Sequence, residues 1–268
     1  MTTELLLERE PPIAWLKLNR PQVLNSLNQE LLHSLQSALI EISVDRKTRV
    51  VVIVGAGTKA FCAGADLAER KGMSEGEVID YLGLIQKIMV TIEQLPQPVI
   101  AAINGPAFGG GVELALACDL RVMTMEASLR LTEVKLGIIP GAGGTQRLSR
   151  LIGKSRAKEI ILTARAIKAE ESYDIGLVHR LVASNSAGSA EFHQALIDET
   201  RTWAREIATG APLALRQAKY AIDNGFDRDL ASGLAIETKA YLQLINTKDR
   251  LEGLAAFAEK RTAVFRGE

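Results

Sequence analysis

The sequence predicts an α/β fold: a covered, largely parallel sheet or a β/α superhelix in the first two-thirds, then a helical tail. Three observations carry this. Short aliphatic runs such as Arg49-Val50-Val51-Val52-Ile53-Val54 and Pro98-Val99-Ile100-Ala101-Ala102-Ile103 have the length of strands buried on both faces. Segments with 3.6-residue apolar spacing alternate with them. After about residue 190 the strand-like runs stop and only helical periodicity remains.

In chain order, Ala14, Leu16 and Leu18 share one strand face. Leu31, Leu35, Leu39 and Ile42 step along one face of a helix, with Asn28 placed to cap its first turn. Residues 49–54 form a buried strand, residues 74–95 a helix, and residues 98–103 a second buried strand. Gly109-Gly110-Gly111 then opens a helix through Leu114-Ala115-Leu116-Ala117, and Leu120-Arg121-Val122-Met123 follows as a strand. Residues 191–209, 212–224, 228–246 and 248–260 read as helices, punctuated by Gly210-Ala211-Pro212 and Asn224-Gly225. Such helices pack on a core of their own or on another subunit. No low-complexity linker or fixed-period repeat is visible.

The 268 residues suffice for one large core, or one core with a small appendage, and at 4% aromatic that core is mostly aliphatic. Lysine plus arginine equals aspartate plus glutamate at 32 each, which argues against bulk electrostatic binding of nucleic acid or an anionic bilayer. Neither Cys62 nor Cys118 has zinc-site spacing, and two cysteines make no disulfide framework. Cys118 reads as a small buried hydrophobe. Cys62 has no histidine in the surrounding glycine-rich motifs to activate it; His33, His179 and His193 are scattered. The N-terminal apolar run is too short and acidic for a signal peptide, and no stretch reaches membrane-spanning length.

The chemistry concentrates in two carboxyl groups beside stretches suited to exposing backbone N–H groups. Glu113 follows the triple glycine, and Glu133 precedes Gly137-Ile138-Ile139-Pro140-Gly141. Three glycines exceed what a tight turn needs. A turn whose N–H groups face a ligand at a helix N-terminus, where the dipole favours an anion, accounts for them better. Val112, Leu114 and Ala115 around Glu113 suggest a carboxylate at the edge of a dry pocket, where its pKa is tunable. The loop Phe61-Cys62-Ala63-Gly64-Ala65-Asp66 supplies another candidate N–H. Paired carboxyl groups and free amide donors are the parts needed to move protons beside a polarised carbonyl, so the chain reads as an enzyme.

Two motifs mislead. Gly55-Ala56-Gly57-Thr58-Lys59-Ala60 matches the dinucleotide fingerprint after a strand, but Phe61-Cys62-Ala63-Gly64-Ala65 is poor first-turn sequence for the helix it must open. Gly153-Lys154-Ser155 imitates the end of a P-loop, with Leu148 where the first glycine belongs. There is no GxSxG elbow for a serine hydrolase.

Taken together, Phe61-Cys62-Ala63-Gly64-Ala65-Asp66-Leu67, the segment Ile103–Leu114 with its triple glycine and Glu113, and the segment Glu133–Arg147 closely resemble the enoyl-CoA hydratase (crotonase) family. The resemblance runs from Leu18-Asn19-Arg20-Pro21 to Phe257-Ala258-Glu259-Lys260-Arg261. Leu67-Ala68-Glu69-Arg70 and Thr247–Gly253 look most like the AU-binding 3-methylglutaconyl-CoA hydratase branch. The resemblance implies a crotonase-like spiral of ββα units over residues 1–195, and a C-terminal helical region, 196–268, that assembles homotrimers or homohexamers. It implies that the N–H groups of Ala65 and Gly110 form an oxyanion hole for the acyl-CoA thioester. Glu113 would be the general base toward water and Glu133 the proton donor to Cα, with the Gly141 N–H placing the water. Ala63, Asp66, Leu67 and Lys260 would contact CoA, Lys260 from a neighbouring subunit.

The implied reaction is syn addition of water to a 2-trans-enoyl-CoA, giving 3-hydroxyacyl-CoA, in fatty-acid or branched amino-acid degradation. No cofactor is implied beyond the CoA that is part of the substrate, and no metal. Enoyl-CoA isomerisation is the runner-up; by family analogy it needs only the carboxylate at Glu133, so Glu113 disfavours it. The RNA-binding lysines of the AU-binding relative fall on Gln29, His33 and Ser37 here, which removes the phosphate-neutralising charge and with it the expectation of nucleic-acid binding. The expected compartment is the cytoplasm for a bacterial chain and the mitochondrial matrix for a processed eukaryotic one.

Overall fold

A computed structural model describes residues 3–183 and 190–268. Strands β1 (Leu5–Glu10) and β2 (Ile13–Leu18) form a hairpin turned at Pro11-Pro12, and β2 opens the parallel part of the sheet. β3 (Val50–Gly55), β4 (Val99–Ile103), β6 (Leu120–Thr124) and β9 (Arg180–Val182) complete the order β1-β2-β3-β4-β6-β9, all parallel after the first pair. Parallel strands need crossovers, and helices α1 (Gln29–Ser43), α3 (Glu75–Glu93) and α4 (Gly110–Ala117) lie on those connections.

Strand alternation divides the sheet into two apolar faces. Ala14, Leu16, Leu18, Val51, Ile53, Val99 and Ala101 join the core that also holds Leu31, Leu35, Leu39 and Ile42 of α1 and Ile85, Ile88 and Ile92 of α3. Ile13, Trp15, Val50, Val52, Val54, Ile100 and Val122 face the other way and meet Leu196, Ile197, Ala204 and Ala208 of α8 (Ala190–Ala208). Burial on both faces is why β3 and β4 read as unbroken aliphatic runs. α1 begins as expected, with the Asn28 side chain accepting from the Leu31 N–H at 3.0 Å. α3 opens on a capping box between Ser74 and Glu77.

A second, three-stranded sheet positions the site. β5 (Ala107–Phe108) pairs parallel with β7 (Ser128–Arg130), which pairs antiparallel with β8 (Ile167–Lys168). Strands of two or three residues are too short to show a period in the sequence. The short helix α2 (Leu67–Arg70), helices α5 (Gly144–Ile152) and α6 (Lys154–Thr163), and α7 (Ala169–Asp174) complete this part. The fingerprint-like Gly55–Ala60 segment opens no helix, and Gly153 merely separates α5 from α6.

α9 (Pro212–Gly225), α10 (Leu230–Leu242) and α11 (Lys248–Glu259) form the tail. α8 covers the main sheet, so the boundary expected at residue 195 falls inside a helix that packs on the core. α9 to α11 leave Ile222, Phe226, Leu230, Leu234, Leu254 and Phe257 exposed. No helix among the described residues is long and apolar enough to cross a membrane.

Candidate active site

Parallel pairing of β5 with β7 places the ends of both strands side by side, and each end leads to a glutamate. Beyond Phe108 the chain turns through Gly109 into α4, and Glu113 lies in that helix's first turn. Beyond Arg130 it passes Leu131 and Thr132 into a 3-10 helix, Glu133–Leu136. The Gly109 N–H donates to the Arg130 carbonyl at 2.9 Å and ties the two exits together. Glu113 and Glu133 are 3% and 8% exposed, too buried to be ordinary surface carboxylates.

The glycines here are required by space. Gly109 has φ +47°, and a Cβ on it would stand 3.0 Å from Glu133 Oε1. A Cβ on Gly111 would overlap the Cys62 carbonyl, so only glycine lets α4 lie against the 61–66 loop. That loop is fastened by isolated parallel bridges of Cys62 with Ala107 and of Leu27 with Ala65. In the second bridge the Leu27 N–H donates to Gly64 O and the Asp66 N–H donates to Leu27 O. This is the parallel pattern in which the flanking residues bond, and it leaves the Ala65 N–H turned away from Leu27. Gly110 is the first residue of α4 and has no preceding turn to bond to. Among the described residues neither the Ala65 nor the Gly110 N–H has an acceptor. The two residues are neighbours, since a Cβ on Gly110 would lie 3.5 Å from the Ala65 nitrogen. At the far end of α4, buried Arg121 donates to the carbonyls of Ala115, Cys118 and Leu177 and fixes the helix that presents Gly110 and Glu113.

The two glutamates sit in different electrostatic surroundings. Glu113 Oε1 accepts from the N–H groups of Ala142 and Gly144, both at 2.7 Å. Burial pushes the Glu113 carboxyl up, and those two donors with the Arg147 charge pull against it. Among the described residues Glu133 has no donor beyond its own backbone N–H. Burial and then the Glu113 charge push its carboxyl up to about 7, and its Oε2 is buried without a partner among the described residues. Both carboxyl groups are pushed up by burial, but among the described residues only Glu113 has both backbone donors and a cation that favour its anion. Two neighbouring carboxyl groups in such different hydrogen-bonding surroundings have the form of an acid–base pair.

The other expected residues fall as follows. The Gly141 N–H makes no hydrogen bond among the described residues, while its carbonyl accepts from Gln86 Nε2 at 2.6 Å. The Asp66 carboxylate is occupied: Oδ2 takes Arg20 at 2.8 Å and Ser26 at 3.3 Å, and Oδ1 caps α2 through the Ala68 and Glu69 N–H groups. It braces the loop that presents Ala65. Ala63 donates its N–H to Leu24 O, and Leu67 is 57% exposed at the start of α2. Lys260 is an exposed residue in left-handed conformation (φ 55°) ending α11. Sequence reasoning gave no role to Ala142, Gly144 or Arg147. The signal for Ala142 and Gly144 was the remaining glycine-rich run Gly141-Ala142-Gly143-Gly144, which has the same look as the triple glycine; nothing local singles out Arg147.

The remaining candidate groups among the described residues are unsuited to the site's chemistry. Cys62 and Cys118 are buried and burial pushes both thiols up to about 12, so neither is a thiolate nucleophile. His179 accepts from the Arg121 N–H and is held at about 4 by burial and the Arg121 charge. No cluster among the described residues has the makings of a metal site. A cavity of about 530 Å³ includes neither glutamate; its walls include Cys118, Asp119, Lys219 and Asp223, and Lys219 pairs with Asp119 at 2.7 Å. On α1 the outward positions Gln29, His33 and Ser37 are exposed and carry no lysine or arginine.

Residues 8–268 match the family described as enoyl-CoA hydratase/isomerase. The Bacillus subtilis protein YngF, provisionally named an enoyl-CoA hydratase/isomerase, is 52% identical over 255 residues, covering 95% of each chain. Human mitochondrial methylglutaconyl-CoA hydratase is 46% identical over 261 residues, 97% of this chain and 76% of that protein. The crystal structure of an enoyl-CoA hydratase from Bacillus anthracis superposes with a TM-score of 0.94 at 51% identity, covering 99% of this chain and 100% of that one.

Proposed function

The chain belongs to the enoyl-CoA hydratase/isomerase family, and from that premise we propose that it adds water to a 2-enoyl-CoA, giving the 3-hydroxyacyl-CoA. One observation carries the choice of hydration. Two buried glutamates, one accepting from two backbone N–H groups and the other with an unpartnered oxygen, stand beside each other next to two backbone N–H groups without acceptors among the described residues.

In this reading the thioester oxygen of the substrate accepts from the Ala65 and Gly110 N–H groups. Water held by Glu113 gives that carboxylate a proton as its oxygen bonds to C3. The electron pair of the double bond moves toward C2 and the thioester oxygen, where the two donors receive the charge. Each such donor is typically worth about 10²–10³ in rate. Glu133 then delivers its proton to C2. Hydrogen and hydroxyl have both come to the substrate, and returning one proton from Glu113 to Glu133 restores the site. Each proton-transfer partner contributes roughly 10²–10⁴. Isomerisation needs one carboxyl group to carry a proton between C2 and C4, and would leave the N–H bonds to Glu113 without a purpose. Ala63, Asp66 and Leu67 line the CoA side in this reading, Lys260 meets the CoA phosphates from a neighbouring copy, and the exposed apolar residues of α9 to α11 assemble the copies.

The test is the loss of enoyl-thioester absorbance from crotonyl-CoA. Hydration appears as a falling signal with 3-hydroxybutyryl-CoA as product. An unchanged spectrum with crotonyl-CoA and with methylglutaconyl-CoA removes the proposal, and double-bond movement in a 3-enoyl-CoA without hydration replaces it by isomerisation.

A second reading narrows the acyl group to one with a distal carboxyl. Arg70 closes α2, five residues after Ala65, half-buried with its guanidinium 5.7 Å from the Tyr81 ring centre, and has no carboxylate partner among the described residues. Ile85, one turn after Tyr81, comes within 3.5 Å of a Cβ built on Gly110. A cation so placed suits a glutaconyl-type substrate. Arg70→Met then lowers kcat/KM for methylglutaconyl-CoA by about tenfold or more and leaves crotonyl-CoA unaffected. Equal losses on both substrates exclude this role.

A further inference from the structure

We propose that Arg147 acts on catalysis through Glu113: it bridges Glu93 to the Ala142 carbonyl and so aims the Ala142 and Gly144 N–H groups at one oxygen of Glu113, leaving the other for the substrate water. The inference rests on the hydratase reading of Glu113 and adds a positioning residue to it.

The geometry is a chain of contacts. Nε and Nη2 of Arg147 reach the Glu93 carboxylate of α3 at 3.2 and 2.9 Å, the two-point arrangement that fixes a guanidinium plane. Nη1 then donates to Ala142 O at 3.0 Å. Ala142 is one of the two residues whose N–H groups converge on Glu113 Oε1. Between them lies Gly143, at φ +108°, where a Cβ would collide with Nη1 of Arg147. The loop is shaped around the guanidinium. Its side chain is only 16% exposed, so water screens it weakly.

The charged groups facing Glu113 are Arg147 from α5, Glu133 from the 3-10 helix and, behind Arg147, Glu93 of α3. Arg147 is the cation among them. Removing it leaves Glu113 buried without its cation, with donors no longer held in line. Both effects favour the protonated form, which cannot accept a proton from water. A lysine keeps the charge but has no planar fork to hold Glu93 and Ala142 O together.

The experiment compares wild type, Arg147→Met, Arg147→Lys and Glu93→Gln in the assembled, full-length protein. Crotonyl-CoA hydration is measured from pH 5 to 9, and the Glu113 carboxyl is followed by carbon NMR titration without substrate, with Glu113→Gln assigning the signal. The expected result for Arg147→Met is an acid limb of kcat/KM and a Glu113 titration both displaced upward by about one pH unit, which is tenfold at the acid end and much less at pH 9. Arg147→Lys brings the limb back most of the way and leaves kcat depressed across the range. Glu93→Gln, which loosens the guanidinium while keeping it cationic, lowers kcat with little movement of the limb. Should Arg147→Met fold poorly by circular dichroism, Arg147→Lys and Glu93→Gln carry the test. An unmoved Glu113 titration in Arg147→Met, or an unchanged kcat in both milder variants, overturns the inference. The titration needs no turnover, so a wild type inactive on every enoyl-CoA fails the hydratase reading and leaves the linkage of Arg147 to Glu113 separately measured.

Discussion

Replacing Glu133 with glutamine is expected to make the protein more stable at pH 8 while removing its activity. The buried Glu133 carboxyl is pushed from the ordinary 4.5 up to about 7. A folded state that holds this proton more tightly than the unfolded chain is favoured fully below about pH 4.5, and the advantage is lost as pH rises through about 7. Each pH unit between those values is worth about 1.4 kcal/mol, which bounds the effect at about 3 kcal/mol. Solvent at the mouth of the site screens part of it and leaves about 1–2 kcal/mol. Glutamine never ionises, so the variant escapes the loss. Its stability relative to wild type should therefore be independent of the proton near pH 4.5 and rise by that amount toward pH 8. For a chain of this size the gain in Tm is roughly 3–6 °C. Any pH-independent penalty, such as an amide group lacking a partner at the Oε2 position, cancels in the comparison. Thermal midpoints of both proteins from pH 4.5 to 8 measure it. A Tm difference that stays flat across that range refutes the reasoning about this carboxyl group, whatever happens to kcat.

Glu113→Gln should lower kcat on crotonyl-CoA by at least about two orders of magnitude with KM little changed, since it removes the acceptor for the water proton; a kcat within threefold of wild type takes Glu113 out of the mechanism. Gly109→Ala should cost about 1–3 kcal/mol, because alanine is strained at φ +47° and its methyl group presses on Glu133, and should lower kcat by about tenfold or more; urea unfolding and steady-state rates read the two effects separately. Leu35→Ala should cost about 2–5 kcal/mol in urea unfolding, because Leu35 is fully buried between α1 and the sheet, and should leave kcat of the remaining folded protein unchanged.

Much of this architecture is legible where residues carry a period or a fixed local chemistry. The α1 stripe, its Asn28 cap, the aliphatic strands β3 and β4 and the glycine turn into α4 are each specified by contiguous residues. The switch to helices after residue 190 is readable for the same reason. What stays hidden is what depends on long-range pairing. β1 is indistinguishable from any short apolar run until β2 lies beside it. The strands of the second sheet hold two or three residues and exist only because they bond to each other. At the site, Glu113 and Glu133 stand out in sequence because buried acids among apolar neighbours are uncommon. Their difference does not, since it comes from two N–H groups about thirty residues away. Asp66 is hidden in the same way: its carboxylate is held by Arg20, Ser26 and the start of α2, and the Arg20 and Ser26 contacts span forty residues or more.

The unpaired donors at Ala65 and Gly110 belong to the peptide chain itself, and this has a practical consequence for mutational scanning. Proline apart, which also fixes φ, a saturation library at either codon varies everything except the atom of interest, and reports on bulk and backbone shape alone. The clean deletion is chemical: an ester in place of the Gly64–Ala65 amide, introduced by semisynthesis, exchanges one N–H for oxygen and leaves every side chain in place. Tolerance of many residues at position 65 would therefore say nothing against its importance to the reaction.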